Sequence, residues 1–262
     1  MSKVILAEFA FAGLMWAILS TAQGQEGLIY EIAFASNAEG DWEIYLMDAS
    51  GGNRINLINN EWADYYPSWS PDGTKIAFFS TRDRNNEIYI MDANGDHQIR
   101  LTDNPASDKA PCWSPDGRYL YFSRAPILWK DRNDVPPEHF RELRYSLARV
   151  SYDIATGEWG EVETVLSSDQ TGRSIVEPRV SPDGRYVLLC MCDYGPFPVV
   201  QPSADLYVLD LQTGRWAPFP YNSEVSDSWH CWSSNGRWIC YASKKDDDLR
   251  GRVYFSYFDA EG

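Results

Sequence analysis

A four-strand motif, written about five times, constrains this chain more than any other feature. Residues 65–102 show the motif in full. Tyr65–Ser70 reads as a first strand. Pro71-Asp72-Gly73 then turns the chain: proline pre-sets φ, and glycine accepts the positive φ that follows. Lys75–Ser80, rich in β-branched and aromatic residues, reads as a second strand and Glu87–Asp92 as a third. Asn94-Gly95 turns the chain into a fourth over His97–Thr102. One antiparallel sheet of this size cannot bury both faces alone and needs copies of itself alongside.

Those copies are present. Gly73, Gly117, Gly184 and Gly236 close equivalent turns, at intervals of 44, 67 and 52 residues, in the sequences WSPDG, WSPDG, VSPDG and WSSNG. The third-strand signature recurs as EIYLMD, EIYIMD, LARVSYD, DLYVLD and VYFSYFD, ending at Asp48, Asp92, Asp153, Asp210 and Asp259. A period of about 45 residues with four strands per unit predicts an all-β chain folded as a β-propeller. Unit one begins at its second strand, and unit five stops after its third. The pattern therefore fits either a five-bladed ring or part of a six-bladed one, with sheet edges left open.

At these residues a family resemblance emerges. P-x-W-S-P-D-G-x-x-I-A-F, E-I-Y-x-M-D-A-x-G and R-L-T resemble the TolB-type, WD40-like (PD40) propeller repeat over most of residues 29–262. The stretch from Ser203 to Tyr207, with Trp232–Trp238 and Lys244–Asp247, resembles an exported bacterial branch of TolB-like proteins. The repeat specifies fold far more closely than function.

Residues 1–24 read as a signal peptide and 25–262 as the propeller. Lys3 is the only basic residue before Arg54, Phe9–Leu19 is apolar, and small residues precede cleavage points after Ala22 or Gly24. An apolar run this short suits a signal rather than a membrane span. The expectation is a periplasmic or secreted protein of the bacterial envelope that does not span the membrane after cleavage. No cysteine lies near the cleavage points, so a lipid anchor is not expected. The net charge of −15 argues against nucleic acid as a partner.

Five cysteines, at 112, 190, 192, 231 and 240, include no C-x-x-C pair, which weakens a zinc reading. Cys190 and Cys240 fall on second strands of neighbouring units, so a Cys190–Cys240 or Cys192–Cys240 bridge is conceivable in an exported chain.

Propellers bind at the channel and on the loops of the two ring faces. Aligned on the first-strand Trp or Val, the position entering each innermost strand holds Asp64, Asp108, Ile175 and Asp227. The positions that follow hold Tyr65, Tyr66, Lys109, Glu177, Trp229 and His230. Carboxylates repeated around one opening would concentrate negative field there and suit a basic peptide. The competing reading makes each Asp a structural cap of the loop before its strand. The Asp residues of S-P-D-G and of the third strands read as structural. Residues 125–144 break the repeat, and a short helix is expected from about Pro137 to Leu143. Trp129, Lys130, Asp131, Arg132 and His139 of this insertion are candidate rim residues. A second insertion spans 193–203.

No nucleophile elbow, H-E-x-x-H or phosphate loop is present. No cofactor is called for and no metal site is expected. The leading expectation is a non-catalytic exported propeller that binds a protein or peptide of the cell envelope through its channel mouth. The alternatives are a polysaccharide-active propeller enzyme or a carbohydrate-binding module.

Overall fold

A computed structural model describes residues 16–17, 31–126, 139–153, 155–246 and 250–259. They form five antiparallel blades of a β-propeller, in chain order. Blade one holds β1 (Trp16–Ala17), β2 (Glu31–Ser36), β3 (Glu43–Asp48) and β4 (Ile55–Asn56). Blade two holds β5 (Asp64–Trp69), β6 (Lys75–Ser80), β7 (Glu87–Asp92) and β8 (Ile99–Arg100). Blade three holds β9 (Ala106–Trp113), β10 (Tyr119–Pro126), β11 (Ser146–Asp153) and β12 (Glu158–Leu166). Blade four holds β13 (Ser174–Val180), β14 (Tyr186–Cys192), β15 (Asp205–Asp210) and β16 (Trp216–Pro218). Blade five holds β17 (Asp227–Trp232), β18 (Trp238–Ser243) and β19 (Arg252–Tyr257). The inner place of blade one, which the sequence reading left empty, is taken by β1, paired to β2 through Trp16 opposite Ala35.

The turn chemistry is the one the sequence spells. In blade two, Ser70 Oγ donates to Asp72 Oδ1 (2.6 Å) and accepts from the Lys75 amide (2.9 Å). Gly73 sits at φ 72°, a region that strains a residue carrying Cβ. Ser114 with Asp116, Ser181 with Asp183, and Ser233 with Asn235 repeat the arrangement. Third-strand Asp residues bind the next turn: Asp153 accepts from the Ala155 amide and Asp210 from the Gln212 amide, each at 2.8 Å.

Apolar side chains fill the spaces between blades. Ala33, Ile44, Trp69 and Phe78 join blades one and two, and Phe79, Ile90, Trp113 and Phe122 join two and three. Tyr121, Leu147, Val187 and Leu189 join three and four, and Leu188, Cys190, Ile239 and Tyr241 join four and five. Helix is almost absent. The described end of the first insertion, His139–Glu142, is a turn rather than the expected helix; the start of that expected helix lies outside the described residues. Among the described residues no helix is long and apolar enough to cross a membrane.

Each inner strand from blade two onward carries the same irregularity. Tyr66, Ala110, Glu177 and Trp229 occupy equivalent places and all have positive φ, between 48° and 56°. Pairing with the second strand shifts there in all four blades. These are β-bulges, which bend a strand and re-aim its side chains.

Candidate ligand pocket

The bulges build a pocket. Tyr65 and Tyr66 from β5, Lys109 and Ala110 from β9, and Val176 and Glu177 from β13 converge on a cavity of about 270 Å³. Phe79, Ser123 and Tyr145 complete its walls, with Thr81 and Asn86 from loops. Pro196 and Phe197 cover it from the second insertion.

Lys109 is the cation of this site. Its ammonium lies 5.5 Å from the Phe79 ring centre and 5.7 Å from that of Phe197, within cation–π range. Among the described residues no carboxylate offsets its desolvation, and burial pushes its pKa down to about 8. Glu177 is buried and its carboxyl is pushed up by burial, against stabilising contacts from Arg179 and from hydrogen bonds. Tyr66 Oη donates to Glu177 Oε1 (3.1 Å), and the Trp229 amide donates to Oε2 (3.2 Å).

The structure thus brings together Tyr65, Tyr66, Lys109 and Glu177, with Trp229 joined through Glu177. It does not bring the predicted aspartates to an opening. Asp64, Asp108 and Asp227 are fully buried. Asp64 binds Arg82 Nη2 (3.1 Å) and Asn60 Nδ2 (2.8 Å). Asp108 is clasped by Arg124 Nε (2.7 Å) and Nη2 (2.8 Å) and by Asn104 Nδ2 (3.1 Å). Asp227 accepts from the Ser223 amide (2.5 Å) and hydroxyl (2.9 Å). In each case the donor four residues earlier anchors the incoming loop. The loop-cap reading describes these residues, because a carboxylate withdrawn from water needs donors at hand. The expected ring of negative charge is corrected accordingly.

His230 is also displaced from the predicted group. It is buried, its Nε2–H donates to the Leu188 carbonyl (3.1 Å), and burial holds its pKa down at about 3. Trp129, Lys130, Asp131 and Arg132 lie outside the described residues. His139 pairs with Glu142 at the surface (3.2 Å).

Sequence reasoning missed Phe79 and Phe197. The Gly195-Pro196-Phe197-Pro198 run, which interrupts the repeat, was the available signal for the second. Phe140, at the end of the first insertion, stacks on Phe197 at 6.3 Å and meets Tyr194 edge-on at 5.8 Å. Gly195 permits this approach: a Cβ there would stand 3.0 Å from the Phe140 ring. The two insertions therefore meet over one wall of the pocket. Among the described residues no group of three or more His, Cys, Asp or Glu is placed to hold a metal.

Residues 18–125 match the model of the TolB beta propeller domain. No curated protein matches the chain. Solved propellers do. A putative TolB from Agrobacterium tumefaciens is 22% identical, with TM-score 0.58, over 92% of this chain and 78% of its own. TolB from Acinetobacter baumannii is 24% identical, with TM-score 0.59, over 87% of this chain and 49% of its own, so this chain spans about half of that protein. An oligogalacturonate lyase in complex with manganese is 15% identical, with TM-score 0.58, over 95% and 72%. At these identities the likeness is one of fold. The chain is thus a β-propeller whose residues 18–125 match the TolB beta propeller domain and whose fold is similar to that of solved TolB propellers.

Proposed function

We propose that this chain is an exported, non-catalytic binding propeller whose pocket receives a carboxylate-bearing segment of a protein or peptide. One observation carries the reading: Lys109 presents a cation among aromatic walls, and among the described residues no carboxylate pairs with it. A ligand carboxylate would supply the missing partner, and Phe79, Phe197 and Tyr65 would cover the adjoining apolar group. The polarity is the reverse of the basic peptide expected from sequence, because the aspartates that suggested it are tied to Arg82 and Arg124.

The test is titration of the purified protein with a short peptide ending in Phe with a free carboxylate, and with the same peptide amidated. A charge-assisted hydrogen bond contributes about 1.5–3 kcal/mol, so amidation or Lys109→Met is expected to weaken binding by about tenfold or more. Affinity for the free carboxylate is expected to fall as pH rises through about 8, where Lys109 loses its proton. Equal binding of both peptides, unchanged by Lys109→Met, would refute the reading. A carbohydrate ligand is the second reading, favoured by the aromatic walls; a neutral oligosaccharide bound equally well by the Lys109→Met variant would establish it.

Export rests on residues 1–24. Cleavage after Ala22 or Gly24 would remove β1 and leave β2 as the inner strand of blade one. Mass spectrometry of protein from the cell envelope is expected to find an N-terminus at Gln23 or Gln25. Intact Met1 in a cytoplasmic pool would contradict export.

A further inference from the structure

Register, rather than sequence spacing, pairs two of the cysteines. Cys231 on β17 stands directly opposite Cys240 on β18. Opposed residues of an antiparallel pair have Cα atoms about 4.5–5.5 Å apart, inside the roughly 4.4–6.8 Å over which a disulfide closes. The register sets the two thiols side by side on one face of the strand pair. Cys231 is exposed and Cys240 half-buried. Both lie on the face of blade five turned away from blade four, beside Trp238 and, across the sheet, Phe255.

We propose that Cys231 and Cys240 form a redox-active dithiol that exchanges with disulfide-bearing molecules and closes to a cross-strand disulfide within blade five. The Cys231 thiolate attacks one sulfur of the partner's S–S bond. That bond breaks, one partner thiolate leaves, and a mixed disulfide forms on Cys231. Cys240 Sγ then attacks Cys231 Sγ, giving its proton to the departed thiolate, and the second partner sulfur leaves as a thiolate. Two protein thiols are oxidised by two electrons, and one partner disulfide is reduced to two thiols.

The order of attack follows from the surroundings. The neighbouring Cys240 thiol first, and the Arg179 guanidinium to a lesser degree, bring the Cys231 thiol down to about 7, where thiolate is abundant at neutral pH. Burial acts the other way on the remaining thiols: Cys112 is raised, Cys192 is pushed up to about 12, and Cys190 goes well above its ordinary value. The Cys190–Cys240 and Cys192–Cys240 bridges considered from sequence do not form. Cys190 points into the core between blades four and five, and Cys192 donates to the Tyr194 carbonyl (3.3 Å).

The experiment takes the full chain, reduced and freed of reductant, and incubates it with glutathione disulfide. Alkylation of the denatured protein and peptide mass mapping follow. Cys231 and Cys240 are expected as one linked peptide pair lacking two hydrogens, with Cys112, Cys190 and Cys192 alkylated and the link undone by dithiothreitol. Cys240→Ser is expected to stop at the first step with one glutathionyl group on Cys231. A chain in which Cys231 and Cys240 both stay alkylatable, or a bridge mapped elsewhere, would overturn the proposal. So would Cys240→Ser without glutathionyl on Cys231. The wild-type arm uses no substitution, so its outcome does not depend on how a variant folds.

Discussion

Replacing Trp69 or Trp113 with alanine is expected to lower stability by about 3–5 kcal/mol each, the usual cost of deleting a buried aromatic. Both rings are almost fully buried, Trp69 between blades one and two and Trp113 between two and three. Trp113 also meets Trp159 at 5.5 Å and Tyr152 at 5.6 Å. Trp232 occupies the same place in blade five but is only half-buried, so Trp232→Ala is expected to cost less. Its indole N–H donates to the Arg179 carbonyl (2.9 Å). Among the described residues the indole nitrogens of Trp69 and Trp113 meet no hydrogen-bond partner. Phenylalanine at those two places is therefore expected to recover much of the loss, and at Trp232 to leave the carbonyl unserved. Urea unfolding midpoints at constant m-value measure all three. Equal losses at the three tryptophans would contradict this ordering.

The second large effect is expected at Arg124. Arg124→Met should cost about 3 kcal/mol, the lower end for breaking a buried ion pair, since Arg124 keeps some exposure to water. The change would leave the Asp108 carboxylate buried with Asn104 as its remaining side-chain donor. Adding Asp108→Asn should then recover part of the loss, because the orphaned charge goes with it. The same urea series checks this. A double variant no more stable than Arg124→Met alone would show that the loss came from the arginine's packing on Phe122, 5.2 Å away, rather than from the charge.

The propeller was legible because its signals are local. Ser70 reaches Asp72 two residues on, and Asp210 reaches the amide of Gln212, so the residues that make each turn are adjacent in the chain. The pocket was legible only in part, because its determinants are distant from one another. Asp64 and Asp108 looked like a repeated charged rim, yet their arginines follow 18 and 16 residues later, beyond or at the end of the second strand. Blade four has Ile175 at that position, and Asp227 in blade five relies on a serine. Phe197 arrives from an insertion that falls outside the repeat. The Cys231–Cys240 pairing was within reach. The two residues are equidistant from the ends of the S-S-N-G-R-W hairpin, whose pairing is set by its turn. Composition-level reasoning about thiols does not use that register.

The four bulges act as dislocations in the inner strands. In β13, Ile175 packs toward blade three and Val176 toward blade five; past Glu177, Val180 returns to the blade-three side. A perfect strand would place Ile175 and Val180 on opposite faces. In β5, likewise, Tyr65 joins the cluster with blade three while Trp69 joins the one with blade one, although both are odd-numbered. The parity of each inner strand therefore reverses partway along it. The turn-bearing half keeps the phase that interlocks the blades, and the pocket-bearing half runs in its own phase. The two halves thereby choose their neighbours separately, even though Phe79 and Val176 of the pocket still pack between blades. A scaffold with such a fault line can change what it binds at one end of the strand without renegotiating how it packs at the other.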